Sequence, residues 1–240
     1  MTSIASTMNP LAADTSSRQF AWFGALVAPA IGGPIWVAAA TGSEVDFPLA
    51  ATLTGFVVIA TALIASYTDI RWNVIPNWVT YSAAAWGVGL NAYAKWLPES
   101  AGYLGSVGLG ASLAGLILLF TLLLIVFSFT GGGAGDVKLA GAIGALLGFE
   151  LGAEALLYAF VTAGIAIAVW ALGSIGPVTV VRLLARRFGG PYFPTWISPA
   201  TEQDRKILTT SIPLGPFFAV GMLIVVTGFN RTIESWLPGG

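Results

Sequence analysis

From Tyr103 to Phe129 the chain runs 27 residues without a charged side chain, and that stretch limits the available folds more than any other. In hydrocarbon each backbone N–H and C=O must be satisfied within the protein, which leaves helices and closed barrels as spanning structures. A helix of roughly 20 apolar residues crosses the hydrocarbon core. The run is longer than a perpendicular crossing needs, which implies tilt or an overhang. Further runs flank it. Leu49 to Tyr67 is 19 residues without charge, Trp78 to Leu97 has tryptophans near both ends where interfacial aromatics belong, and Ala155 to Ile175 and Ile212 to Phe229 follow. Val137 to Phe149 is too short for an ordinary crossing unless the glycine-rich loop before it is recessed into the protein, around a wet cavity. With 56% apolar residues, 9% charged residues and a mean hydropathy of +0.84, the expected fold class is all-α: a polytopic membrane helical bundle of about seven spans.

Phe20 to Ala40 supplies the first of these, after polar residues 1–19 that read as a disordered cytoplasmic start. Ala38-Ala39-Ala40 resembles a signal cleavage site, but the apolar part is long and contains Pro29 and Pro34, which favours a retained anchor. The segment 178–210 is the one sizeable polar stretch. With the N-terminus cytoplasmic, alternation collects Arg18, Arg71, Lys138, Arg182, Arg186, Arg187, Arg205 and Lys206 on the inner side and only Lys95 and Arg231 on the outer side. The loops holding Asp69 and Asp136 then share the cytoplasmic face.

Composition also narrows the chemistry. The chain has no Cys and no His, which removes thiolate nucleophiles, the commonest metal ligand and the commonest general base near neutral pH. Its net charge of -1 offers no basic surface for nucleic acid. No cofactor and no metal are expected. A hydrolase built from these residues would use an aspartyl pair or a Ser-Lys pair. For the latter, Lys138 or Lys95 would need Ser66, Ser106 or Ser128 as nucleophile, and no spacing singles out such a pair.

Asp136 stands between two strongly apolar stretches, where a carboxylate is a functional candidate by default; its alternative role is to cap a helix beginning at Val137. Asp69 closes the span Leu49 to Tyr67, before a surface loop over 70–75 and Pro76 at the start of the next helix; its alternatives are pairing with Arg71 or lipid headgroups. Two carboxylates at the inner ends of two spans suit an aspartyl protease, one ionised to activate water and one protonated to polarise the scissile carbonyl. Like charges a few Å apart do not both ionise cheaply, so such a pair holds one shared proton. Glycine before Asp136 would let an extended substrate lie along the loop backbone. The charges of Arg71 and Lys138 are accounted for by orientation alone, with Lys138 snorkelling to the interface.

Three separated blocks resemble the type IV prepilin peptidases, membrane aspartyl proteases of the GxGD class. They are Asp69-Ile70-Arg71 with Ile75-Pro76-Asn77, then Gly131-x-Gly133-x-Gly135-Asp136-Val137-Lys138-Leu139, then Ile212-Pro213-Leu214-Gly215-Pro216-Phe217. The resemblance covers roughly residues 50 to 230 and implies a peptidase domain over 49–230 with six spans, the span at 20–40 being additional. It implies Asp69 and Asp136 as the catalytic pair. Gly131, Gly133, Gly135, Lys138, Pro76, Asn77, Pro213, Gly215 and Pro216 would shape the loops or bind substrate. It further implies an inner-membrane enzyme, its catalytic face cytoplasmic, that removes leader peptides from prepilin-like or pseudopilin-like precursors. Without Cys the chain lacks the Cys-containing methylation domain of bifunctional members, so a peptidase-only member is expected, and Leu214 stands where the family usually has Phe. A catalytically inert scaffold of a pilus or secretion system is the alternative from another class. A small transporter fits less well, because both carboxylates fall near span ends and no internal repeat is evident.

Overall fold

The computed structural model describes residues 49–130, 133–176 and 213–229. The expectations for residues 1–19, the span at 20–40, Gly131 and the loop at 178–210 lie outside these. All regular structure among the described residues is helical: α1 (Leu53–Trp72), α2 (Asn77–Trp96), the short α3 (Ala101–Leu104), α4 (Leu109–Thr130), α5 (Ala134–Ile175) and α6 (Gly215–Val226), with 3-10 turns at Leu49–Ala51 and Pro98–Ser100. Among the described residues, three helices are long and apolar enough to cross a membrane, over Leu53–Trp72, Leu109–Phe129 and Ala134–Gly173.

Local chemistry sets the helix ends near the two aspartates, and it differs from the sequence expectation at both. α1 starts at Thr52, whose Oγ1 accepts the N–H of Gly55 at 3.1 Å. It runs into the expected loop at 70–75 and stops at Asn73, which has φ 51° and donates its N–H to the Asp69 carbonyl. Asn is among the few side chains that tolerate this left-handed conformation at a helix end. Asp69 therefore lies in the last helical turn and not in a loop. Pro76 has no N–H to leave unpaired and stands at the N-cap of α2. α5 begins at Ala134 after Gly133, with no side-chain cap. Asp136 is thus inside the first turn of α5, and the expected alternative of a cap for a helix starting at Val137 does not hold.

α5 is not straight. Gly148 adopts φ 76° and ψ -176° in its middle, a conformation open essentially to glycine alone. A Cβ added to Gly152 would lie 3.4 Å from the Gly144 Cα, although eight residues of continuous helix would separate those positions by about 12 Å. The chain therefore folds back at Gly148. The first arm, residues 134–147, corresponds to the short run expected at 137–149, and the second arm carries the run at 155–175. Leaving the helix at Gly148 strips intrahelical partners from the preceding carbonyls; the buried Ser112 hydroxyl of α4 donates to that of Ala145 at 2.6 Å.

α5 is the centre of the bundle, packing against α4, α2 and α6, while α6 sits between α5 and α1. Leu139, Ile143, Leu146, Phe218, Met222 and Val58 are fully buried there. Glycine lets the backbones meet: a Cβ on Gly115 of α4 would strike the Gly144 carbonyl, one on Gly144 would strike that of Gly115, and one on Gly221 of α6 would strike that of Ala155. Such contacts are how helices associate in lipid, where burial of apolar surface gives no drive. Conversely Ile117, Leu122 and Ile125 of α4 and Leu157, Ile165 and Val169 of α5 face outward.

At the end of the bundle holding Gly148, buried Asn91 fixes the connection into α4. Its Nδ2 donates to the Gly87 carbonyl at 2.8 Å, and its Oδ1 accepts from Ser106 Oγ at 2.7 Å and Gly108 N at 2.9 Å. The opposite end gathers the end of α1 and the starts of α2, α5 and α6.

Candidate active site

Asp69 is 7% exposed. Burying a carboxylate is costly unless its oxygens are hydrogen-bonded, and here the partner comes from across the bundle: Oδ2 accepts the N–H of Gly215, at the start of α6, at 2.7 Å. A Cβ at position 215 would lie 2.7 Å from the Asp69 Cβ and 3.0 Å from both Oδ2 and the Ala65 carbonyl. The backbone of α6 approaches α1 this closely because residue 215 has no side chain.

Asp136 reaches the same end from the first turn of α5 and is half-buried. A Cβ on Gly133 would lie 2.9 Å from its Oδ2, so the glycine leaves the space that this oxygen faces. Asp69 and Asp136 both stand at this end of the bundle. The sequence separates these residues by 67 positions, and the packing of α6 between α1 and α5 closes that separation.

The α1–α2 connection is joined to the start of α5 as well. A Cβ on Gly135 would meet the Ile75 Cβ at 3.2 Å. Lys138 Nζ donates to Asn77 Oδ1 at 2.8 Å and stands 5.4 Å from the centroid of the Tyr81 ring, within cation–π range. Lys138 of α5 is thus held against α2, where the sequence suggested a side chain snorkelling to the interface. Tyr81 was not singled out from sequence, although it lies four residues after Asn77 on one face of α2, a spacing that brings the two side chains together.

Asp69, Pro76, Asn77, Gly133, Gly135, Asp136, Lys138, Pro213, Gly215 and Pro216 therefore belong to one end of the bundle, and Gly131 lies outside the described residues. Among the described residues no group of three His, Cys, Asp or Glu is placed to hold a metal ion. Two interacting carboxylates, one held by a backbone donor and one beside open glycine backbone, have the composition of a general acid–base pair acting on a bound water. A family model described as the type IV leader peptidase family matches residues 56–169, a range that contains both Asp69 and Asp136. No curated protein and no solved structure matches the chain.

Proposed function

A family model described as the type IV leader peptidase family matches residues 56–169, and from that match we propose that the chain is an aspartyl endopeptidase of this family that removes leader peptides from prepilin-like or pseudopilin-like precursors. Asp69 and Asp136 are its catalytic pair. The observation that carries this reading is the convergence of two carboxylates on one end of the bundle, one in the last turn of α1 and one in the first turn of α5, with α6 packed between the two helices.

In this reading a water sits between the carboxyl groups, which share one proton because two adjacent anions are costly. The ionised member takes a proton from the water as its oxygen attacks the scissile carbonyl carbon. The protonated member donates to the carbonyl oxygen. Collapse of the tetrahedral intermediate breaks the C–N bond, and the proton taken from water passes to the departing amine. An extended substrate lying beside Gly133 and Gly135 presents an unwound peptide bond, which a helical precursor would shield. The asymmetry of basic residues supports a cytoplasmic catalytic face in the inner membrane.

The test is co-expression with a leader-bearing precursor, scored by the gel shift on leader removal. Asp69→Asn and Asp136→Asn each abolish the shift at matched membrane abundance, and the double variant is no worse, because residues acting as one unit are non-additive. Processing by either single variant at a rate comparable to the unaltered protein refutes the assignment and favours an inert scaffold.

A further inference from the structure

The start of α6 treats the two carboxylates unequally. The first N–H groups of a helix have no partner within it. Around this start Pro213 and Pro216 have no N–H at all, and the N–H groups of Phe217 and Phe218 both return to the Leu214 carbonyl at 3.0 Å. The remaining donors are those of Leu214 and Gly215. Gly215 donates to Asp69 Oδ2 at 2.7 Å, and the Leu214 N–H acts on the same carboxyl group. The sequence Pro-Leu-Gly-Pro thus withholds N–H groups on either side and directs the two between at one side chain.

The dipoles of the parent helices work the other way. Asp69 stands at the C-terminal, negative end of α1, whereas Asp136 stands in the first turn of α5, where an anion is favoured. A hydrogen bond made directly to a charged oxygen outweighs a macrodipole contribution, by about tenfold in an ionisation equilibrium. We propose that the paired N–H groups of Leu214 and Gly215 fix the roles within the dyad: Asp69 is the carboxylate that takes the proton from water, and Asp136 holds the shared proton and gives it to the scissile carbonyl. Gly215 is the positioning residue that sets this asymmetry.

This assignment rests on the aspartyl peptidase reading. Among the described residues, the charged and titratable groups around Asp69 are Asp136 from α5 and Arg71 on its own helix. α6 contributes none over Gly215–Val226, Lys138 is bonded to Asn77, and Tyr81 of α2 lies against Lys138.

The experiment compares pH–rate profiles of the full-length enzyme in detergent, using a quenched fluorescent peptide that contains a prepilin-type leader junction. Gly215→Ala adds a Cβ at 2.7 Å from that of Asp69 and moves the donors away. It lowers kcat/KM about tenfold near neutral pH and shifts the acidic limb of the profile upward by about one pH unit. Gly221→Ala, on the same helix as Gly215 and with its Cβ against the Ala155 carbonyl of α5, lowers stability but leaves the limb in place. Leu214→Pro deletes one donor, placing a ring Cδ where its N–H stood, and shifts the limb the same way; it decides the matter if Gly215→Ala fails to accumulate. An unmoved limb in the donor variants, or an equal shift in Gly221→Ala, overturns the inference. If Asp69→Asn and Asp136→Asn are themselves active, the peptidase reading falls; if they are inactive and the limb is unmoved, only the division of roles falls.

Discussion

Ser112 and Ser128 lie on the same helix, and each hydroxyl donates to a carbonyl at 2.6 Å. Their removal should nevertheless have different consequences. Ser128 is exposed and bonds back to Leu124, one turn earlier in α4; that carbonyl keeps its own intrahelical N–H when the hydroxyl is gone. Ser112 is fully buried and bonds to Ala145 of α5, just before the break at Gly148. Ser112→Ala leaves that carbonyl in an apolar interior without a donor. Interhelical side-chain bonds in membrane proteins average about 0.6 kcal/mol, because the alternative state finds other partners. An orphaned buried acceptor costs about 1–3 kcal/mol, and the Ala145 carbonyl is of this second kind. The expected loss is therefore about 1.5 kcal/mol for Ser112→Ala, or roughly tenfold in the folding equilibrium, and within about 0.5 kcal/mol of zero for Ser128→Ala. In thermal unfolding of the purified protein in detergent, the first lowers the midpoint by about 3–6 °C and the second leaves it unchanged. Equal losses from both variants would refute the claim that the hydroxyl serves a carbonyl stripped by the break.

Two further predictions follow from the same geometry. Gly148→Ala finds ordinary contact distances, 3.4 Å to Val107 Cγ2 and 3.6 Å to the Ala111 Cβ, so its cost of about 1–3 kcal/mol comes from backbone strain; relieving the packing with Val107→Ala does not restore the melting midpoint. Cleavage in detergent survives EDTA and thiol alkylation, since the chain has neither Cys nor His; loss on chelation with recovery on adding a divalent cation would recast Asp69 and Asp136 as metal ligands.

Much of the helical framework is written in the apolar runs, because their length and lack of charge require helix wherever the chain meets lipid. The two aspartates were legible for the same reason, as carboxylates where carboxylates are costly. Helix ends were less so. Asn73 is the signal that extends α1 beyond Asp69, but a single Asn after an interfacial Asp-Ile-Arg reads equally well as loop. Neighbour relations were least legible. α4 and α6 are apolar on every side, so periodicity does not reveal which face packs inward. Gly115, Gly141 and Gly144 mark the contact faces by their size alone. The bond from Lys138 to Asn77 across 61 residues, and that from Gly215 to Asp69 across 146, are products of that packing. The Pro-Leu-Gly-Pro block singles out residue 215 without revealing that its amide hydrogen reaches Asp69.

The mutual approach of Gly115 and Gly144 has a consequence for how this protein can vary over generations. Neighbouring side chains in a core usually drift together, one growing as the other shrinks, and such exchanges leave the covariation from which contacts are read. Here each missing Cβ faces the other residue's backbone, which no codon change can make smaller. Neither position has a compensating partner, so every single-base change away from glycine acts in one direction. One of the closest contacts in the bundle should therefore leave no correlated pair in a family of related sequences, and its imprint there would be invariance alone.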